Sequence, residues 1–162
     1  FIEVESRLNH GTTFHIYLPL AECETTVLPK ETPKAARRGS GRILIVDDEE
    51  SIRQFSQRLF RGAGFEVQLA QDGEHALELL TSGTFRPDLV LTDYHMPNMT
   101  GIELIRQASA LRPDLKFVLV SGYLDDDTRR GVEEELHARI LNKPYHLREA
   151  VDLMIELLSP KA

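Results

Sequence analysis

The chain has 162 residues, 41% of them hydrophobic and 28% charged, with a formal net charge of −7 at pH 7. That length suits one well-cored domain with a small appendage, and the acidic balance argues against nucleic-acid binding as its main role. With Cys23 as its single cysteine an internal disulfide is excluded, and no apolar run approaches the roughly 18 residues of a membrane span. No signal peptide is visible, and the cysteine usage suits a reducing cytoplasm. The pattern starts in mid-strand at Phe1, so the sequence reads as a piece of something longer, whose parent protein could be membrane-anchored.

Residues 1–20 carry two alternating runs. Ile2, Val4 and Ser6 share one face; Phe14, Ile16 and Leu18 share another; Asn9-His10-Gly11 supplies the turn. The pattern predicts a β-hairpin, ended by Pro19. Residues 21–40 hold Pro29, Pro33, Gly39 and Ser40 among Lys30, Lys34, Arg37 and Arg38, with little to bury. They read as a solvated linker.

From residue 41 strands and helices alternate. Ile43-Leu44-Ile45-Val46 is a continuous apolar run, as expected of a parallel strand covered on both faces. A helix follows with Ile52, Phe55, Leu59 and Ala63 at helical spacing, ending at Gly62 or Gly64. Residues 65–70 form a second strand. Asp72 caps a helix bearing Ala76, Leu79 and Leu80, with Gly83 behind it. Residues 88–92 are a third strand, and Ile102, Ile105 and Ala108 mark the helix after it. Residues 116–120 are a fourth strand. The segment 125–136 makes a poor helix, led by three acids and interrupted by Gly131. Residues 139–142 are a fifth strand, and the last helix has Leu147, Ala150, Val151, Met154, Ile155 and Leu158 on one stripe. This alternation predicts an α/β fold, a doubly wound five-stranded parallel sheet.

Such a sheet gathers ligands at the carboxyl ends of its strands. Asp47-Asp48-Glu49-Glu50 follow the first strand, Asp93 the third, Ser121-Gly122 the fourth and Lys143-Pro144 the fifth. Each has an ordinary reading alone: helix caps for Asp47 and Asp48, a turn acid for Asp93, loop residues for the rest. Together they assemble a specific chemistry. Several close carboxylates do not all stay ionised without a cation, and oxygen ligands of this kind suit Mg²⁺. Lys143 adds a positive charge, and Ser121 a hydroxyl able to donate to an anionic oxygen. The set fits a phosphoryl group carried on Asp93.

Residues 41–160 resemble the receiver domain of the response regulators of two-component signalling. The resemblance rests on Asp47-Asp48, on Asp93 within Asp-Tyr-His-Met-Pro-Asn-Met-Thr-Gly, on Val-Ser-Gly-Tyr around Ser121, and on Lys143-Pro144. It implies a flavodoxin-like (βα)5 fold with strand order 2-1-3-4-5. It implies Asp93 as acceptor of a phosphoryl group from a phosphohistidine. Asp48 and Asp93 would ligate Mg²⁺ directly, Asp47 through water, and His95 through its backbone carbonyl. Ser121 would be the switch hydroxyl, and Lys143 would pair with the phosphoryl group across a cis bond to Pro144. His95 and Tyr123 take the positions flanking the phosphoryl pocket. The family's usual aromatic three residues before the lysine is Ile140 here.

Residues 1–20 resemble the last strands of the ATP-binding domain of sensor histidine kinases, with the terminal Gly-Thr at Gly11-Thr12. The order kinase strands, linker 21–40, receiver 41–160 implies a hybrid sensor kinase in phosphorelay signalling. This chain lacks the ATP site and is expected to catalyse only its own phosphorylation and dephosphorylation. Expected partners are the phosphohistidine of the parent kinase or a histidine phosphotransfer domain, with no nucleic acid and no membrane contact. An unpaired hairpin edge can take up a second copy, so a dimer is among the expectations. The alternative is a receiver-fold interaction module acting without phosphorylation, favoured by Ile140 and opposed by the intact acid, hydroxyl and lysine set.

Overall fold

The structure is a computed structural model that describes residues 1–18 and 38–159. The chain divides into two compact units. In the first, β1 (Ile2–Arg7) and β2 (Gly11–Ile16) pair antiparallel. The register sets Ile2 opposite Ile16 and Val4 opposite Phe14, so the two predicted apolar rows form a single face. Asn9 at φ 63° and Gly11 at φ 96° supply the left-handed turn. Ser6 and Thr12 hydroxyls bond across the ribbon at 2.8 Å, and the Phe1 and Tyr17 rings stack at 4.5 Å. Pro19 and residues 21–37 of the predicted linker lie outside the described residues.

The second unit carries a parallel sheet of β3 (Arg42–Val46), β4 (Glu66–Ala70), β5 (Leu89–Asp93), β6 (Lys116–Ser121) and β7 (Arg139–Asn142), in spatial order β4-β3-β5-β6-β7. Counted within this sheet, that is the expected 2-1-3-4-5. The connecting helices are α1 (Glu50–Gly62), α2 (Gly73–Ser82), α3 (Gly101–Leu111), α4 (Asp126–Arg130) and, at the end, α5 (Leu147–Leu158).

Strand alternation splits the core into two layers. Leu44, Val46, Val90, Phe117 and Leu119 pack with Ala76 and Leu80 of α2 and Leu104, Ile105 and Ala108 of α3. Ile43, Ile45, Leu89, Leu91, Val118 and Val120 pack with Phe60 of α1 and Ala150 and Met154 of α5. Each fully buried aliphatic side chain contributes about 1.5–3 kcal/mol. Both faces being covered is why the strands read as unbroken apolar runs.

The helix ends follow local chemistry. Asp72 accepts from the His75 amide at 2.8 Å, and Gly83 closes α2 at φ 70°. Thr100 and Glu103 form a reciprocal capping box at the start of α3.

Three details differ from the sequence expectation. The buried positions of α1 are Ser56 and Phe60, while Phe55 is 48% exposed. Ser56 lies one turn before Phe60 on the buried face, and a search for apolar spacing passes over it because it is polar. The segment 125–136 begins as α4 but continues as a π-helical turn over Gly131–Glu135. Gly131 therefore stays helical at φ −58° and marks a change of pitch, not a break. Gly39, assigned by composition to the linker, is seated on the domain. Its amide donates to the Ala63 carbonyl at 2.8 Å, and a Cβ there would fall 2.0 Å from the Phe65 ring.

Candidate phosphoacceptor site

The carboxyl edge of the sheet brings together the groups that the sequence spreads over 97 residues, from Asp47 to Lys143. Asp93 is the last residue of β5, and its side chain is 12% exposed. The Lys143 ammonium donates to its Oδ1 at 2.7 Å. Lys143 is placed by its backbone, whose amide donates to the Ser121 carbonyl at 2.7 Å; the Lys143–Pro144 bond is cis, as the resemblance implied. The loop beyond Asp93 is pinned by the Tyr94 amide on the Val120 carbonyl and the Gly101 amide on the Tyr94 carbonyl. Met96 is buried beneath this loop, and Asn98 turns it at φ 65°.

Asp47 ends the apolar run of β3 and is 7% exposed. Its Oδ1 accepts from the Glu49 amide at 2.8 Å. Burial pushes the Asp47 carboxyl above its ordinary value; the Glu49 amide opposes this, Asp93 reinforces it, Lys143 opposes it and Asp48 adds to it. Burial alone would lower the Lys143 ammonium, but the bond and charge of Asp93, then the charge of Asp47, hold it above its ordinary value. Burial likewise pushes up the Tyr145 phenol, with Lys143 acting against and Asp47 and Asp93 acting with it. Asp48 and His95 are exposed, and the His95 ring meets Tyr94 edge-on at 4.4 Å.

Asp47, Asp48 and Asp93 outnumber the one ammonium, Lys143, that pairs with a carboxylate here, and Asp47 is raised first by burial and then by the nearby Asp93. A hard divalent cation fits this donor set. Among the described residues no three His, Cys, Asp or Glu side chains form a metal cage by themselves. The fit is therefore to an ion that takes one or two carboxylates and fills its shell with carbonyl and water oxygens, as Mg²⁺ does.

Ser121 ends β6, is 1% exposed, and its hydroxyl donates to the Tyr123 carbonyl at 3.0 Å. Ile140 is partly buried against the core layer of α2 and α3, and Tyr123 is 81% exposed. One neighbour of the site is missed by the motif reading. Arg53, on α1, donates from Nη1 to the Asp47 carbonyl at 2.6 Å. A cation four residues after the N-cap Glu49, at the positive end of a helix, was the available signal.

Residues 43–155 match the family described as response regulator receiver domain. The chain belongs to that family. Over 117 positions the receiver is 35% identical to the response regulator receiver protein CpdR of Brucella abortus (strain 2308), covering 72% of this chain and 96% of that protein. Over 166 positions the chain is 32% identical to the sensor kinase CckA of the same organism, covering 98% of this chain but only 18% of the kinase. The crystal structure of the receiver domain from hybrid histidine kinase CckA matches with a TM-score of 0.61 and 29% identity, over 74% of this chain and all (100%) of that one. The response regulator TrrA from Thermotoga maritima, solved in complex with Mg²⁺ and BeF, matches with a TM-score of 0.64 and 30% identity, over 73% and 99% of the two chains.

Proposed function

We propose that this receiver takes a phosphoryl group from a phosphohistidine onto Asp93 and thereby changes its binding to a partner. The observation that carries the reading is the 2.7 Å ion pair of Lys143 with Asp93 at the carboxyl edge of the sheet, beside buried Asp47. In the transfer a carboxylate oxygen of Asp93 forms the new bond to phosphorus. The bond from phosphorus to the donor imidazole nitrogen breaks, and that nitrogen keeps the electron pair. Lys143 offsets the negative charge on the phosphoryl oxygens. Asp48, Asp93 and the His95 carbonyl would hold Mg²⁺, with Asp47 acting through water; bound there, the ion screens the same oxygens.

The switch follows from Ser121. Its hydroxyl gives up the Tyr123 carbonyl and donates to a phosphoryl oxygen, which draws in the loop 121–127. The next element, α4 with its π-helical turn, buries only Val132, and so is an element of low local stability suited to repacking. With Ile140 in place of an aromatic, the loop and α4 carry the change.

The N-terminal hairpin is read as the last strands of a kinase ATP-binding domain, and the whole as the C-terminal part of a hybrid sensor kinase. The match to a sensor kinase over 98% of this chain supports this. The partner is then the kinase's own phosphohistidine or a histidine phosphotransfer domain. Incubation with acetyl phosphate and Mg²⁺ should label the protein, and Asp93→Ala should remove the label. Labelling that survives Asp93→Ala refutes the assignment. No labelling of the wild type, with partner binding retained, would favour the interaction module.

A further inference from the structure

We propose that Arg53 is a positioning residue of the phosphoacceptor site, acting through the backbone of Asp47 to hold the loop that presents Asp47 and Asp48. The inference rests on the function proposed above.

Two bonds fix that loop. The Glu49 amide donates to the Asp47 side chain at 2.8 Å, and the Arg53 guanidinium donates to the Asp47 main-chain carbonyl at 2.6 Å. The first fixes the carboxylate of Asp47; the second fixes the peptide plane between Asp47 and Asp48, and with it the direction in which Asp48 leaves the chain. The Asp47 amide donates to the Ala70 carbonyl over a long 3.4 Å. The guanidinium is thus a principal tie on this turn.

The position of Arg53 is otherwise unfavourable. It lies in the first turns of α1, where the helix dipole disfavours a cation. Its own amide is already used in the helix, on the Glu49 carbonyl at 3.1 Å. Arg53 therefore joins the helix to the loop at both ends of its residue, while its charge stands near a site that gathers carboxylates.

Charge and positioning predict opposite signs. If Arg53 acted only as a charge, removing it would tighten Mg²⁺ binding. If it positions the loop, removing it weakens Mg²⁺ binding, by about tenfold for one charge-assisted hydrogen bond. Calorimetric titration of the 162-residue chain with Mg²⁺ reads the sign directly. Arg53→Met should raise the Kd for Mg²⁺ about tenfold. Arg53→Lys, which keeps the charge and removes the Nη1 donor that meets the Asp47 carbonyl, should also raise it. Arg58→Met, which removes an exposed cation from the same helix, should leave it unchanged. The acetyl phosphate labelling rate of Arg53→Met should recover at saturating Mg²⁺, which a merely damaged fold would not do.

An unchanged or lowered Kd in Arg53→Met, or a rate loss that persists at saturating Mg²⁺, overturns the inference while leaving Asp93 as acceptor. If Arg53→Met does not fold, the Kd of Arg53→Lys decides by the same criterion. Failure of the wild type to bind Mg²⁺ overturns the metal assignment and this inference together.

Discussion

Replacing Gly101 by alanine sets two effects of opposite sign against each other. Gly101 opens α3 and is buried. Alanine favours helix over glycine by up to about 1 kcal/mol, partly by restricting the unfolded chain. On propensity alone Gly101→Ala would stabilise the domain. The surroundings forbid it: a Cβ would stand 2.3 Å from the Asp93 carbonyl oxygen and 2.7 Å from Leu119 Cδ1. The leucine can turn away, but the carbonyl belongs to the strand end that carries the proposed phosphoacceptor, and the Thr92 hydroxyl donates to it at 3.1 Å. Relief needs a backbone shift on the order of 1 Å to restore van der Waals separation. Overpacking of this kind costs about 3 kcal/mol, so the net loss is about 2 kcal/mol, a sizeable share of a typical domain's stability. Urea unfolding followed by circular dichroism should show this loss, and labelling of Asp93 by acetyl phosphate should slow. Gly131→Ala is the control: its Cβ meets nothing within 4 Å, so it should be neutral or stabilising by about 0.5 kcal/mol. A Gly101→Ala protein as stable as the wild type, with undiminished labelling, would refute the reasoning.

Met154→Ala removes a fully buried side chain of α5 from the layer it shares with Phe60 and Val118, and should cost about 2–5 kcal/mol in the same unfolding assay. Asp72→Ala deletes the side chain that receives the His75 amide at the start of α2 and should cost about 1 kcal/mol. Arg112 donates two bonds to Asp114 and holds its carboxyl down at about 2. Because the folded value lies below the ordinary 3.8, this group favours folding above that value, and its contribution fades as pH falls toward about 2. A carboxyl titration by nuclear magnetic resonance should place the Asp114 midpoint near 2, and Arg112→Gln should return it to the ordinary range. Beryllofluoride with Mg²⁺ should shift amide resonances across residues 121–136; an unshifted segment in a protein that binds the ligand would refute the proposed switch.

The sequence alone determined much of this protein. Unbroken apolar strands and helical stripes follow from the spacing of residues along the chain, and strand ends are local features. Asp47, Asp48, Asp93, Ser121 and Lys143 were therefore legible as a set before their geometry was known. Tertiary structure decided what depends on close approach. Ser56 is buried where Phe55 is not, because Ser56 lies one helical turn before Phe60 on the face that α1 turns to the core. Gly101 is required because two backbones nearly touch there. The Ser121 hydroxyl is committed to the Tyr123 carbonyl, and Arg53 holds the carbonyl of Asp47. Bonds from a side chain to a backbone carbonyl leave no signature in the residue type of the acceptor, since every residue carries that group. Only the folded chain shows which carbonyl is taken.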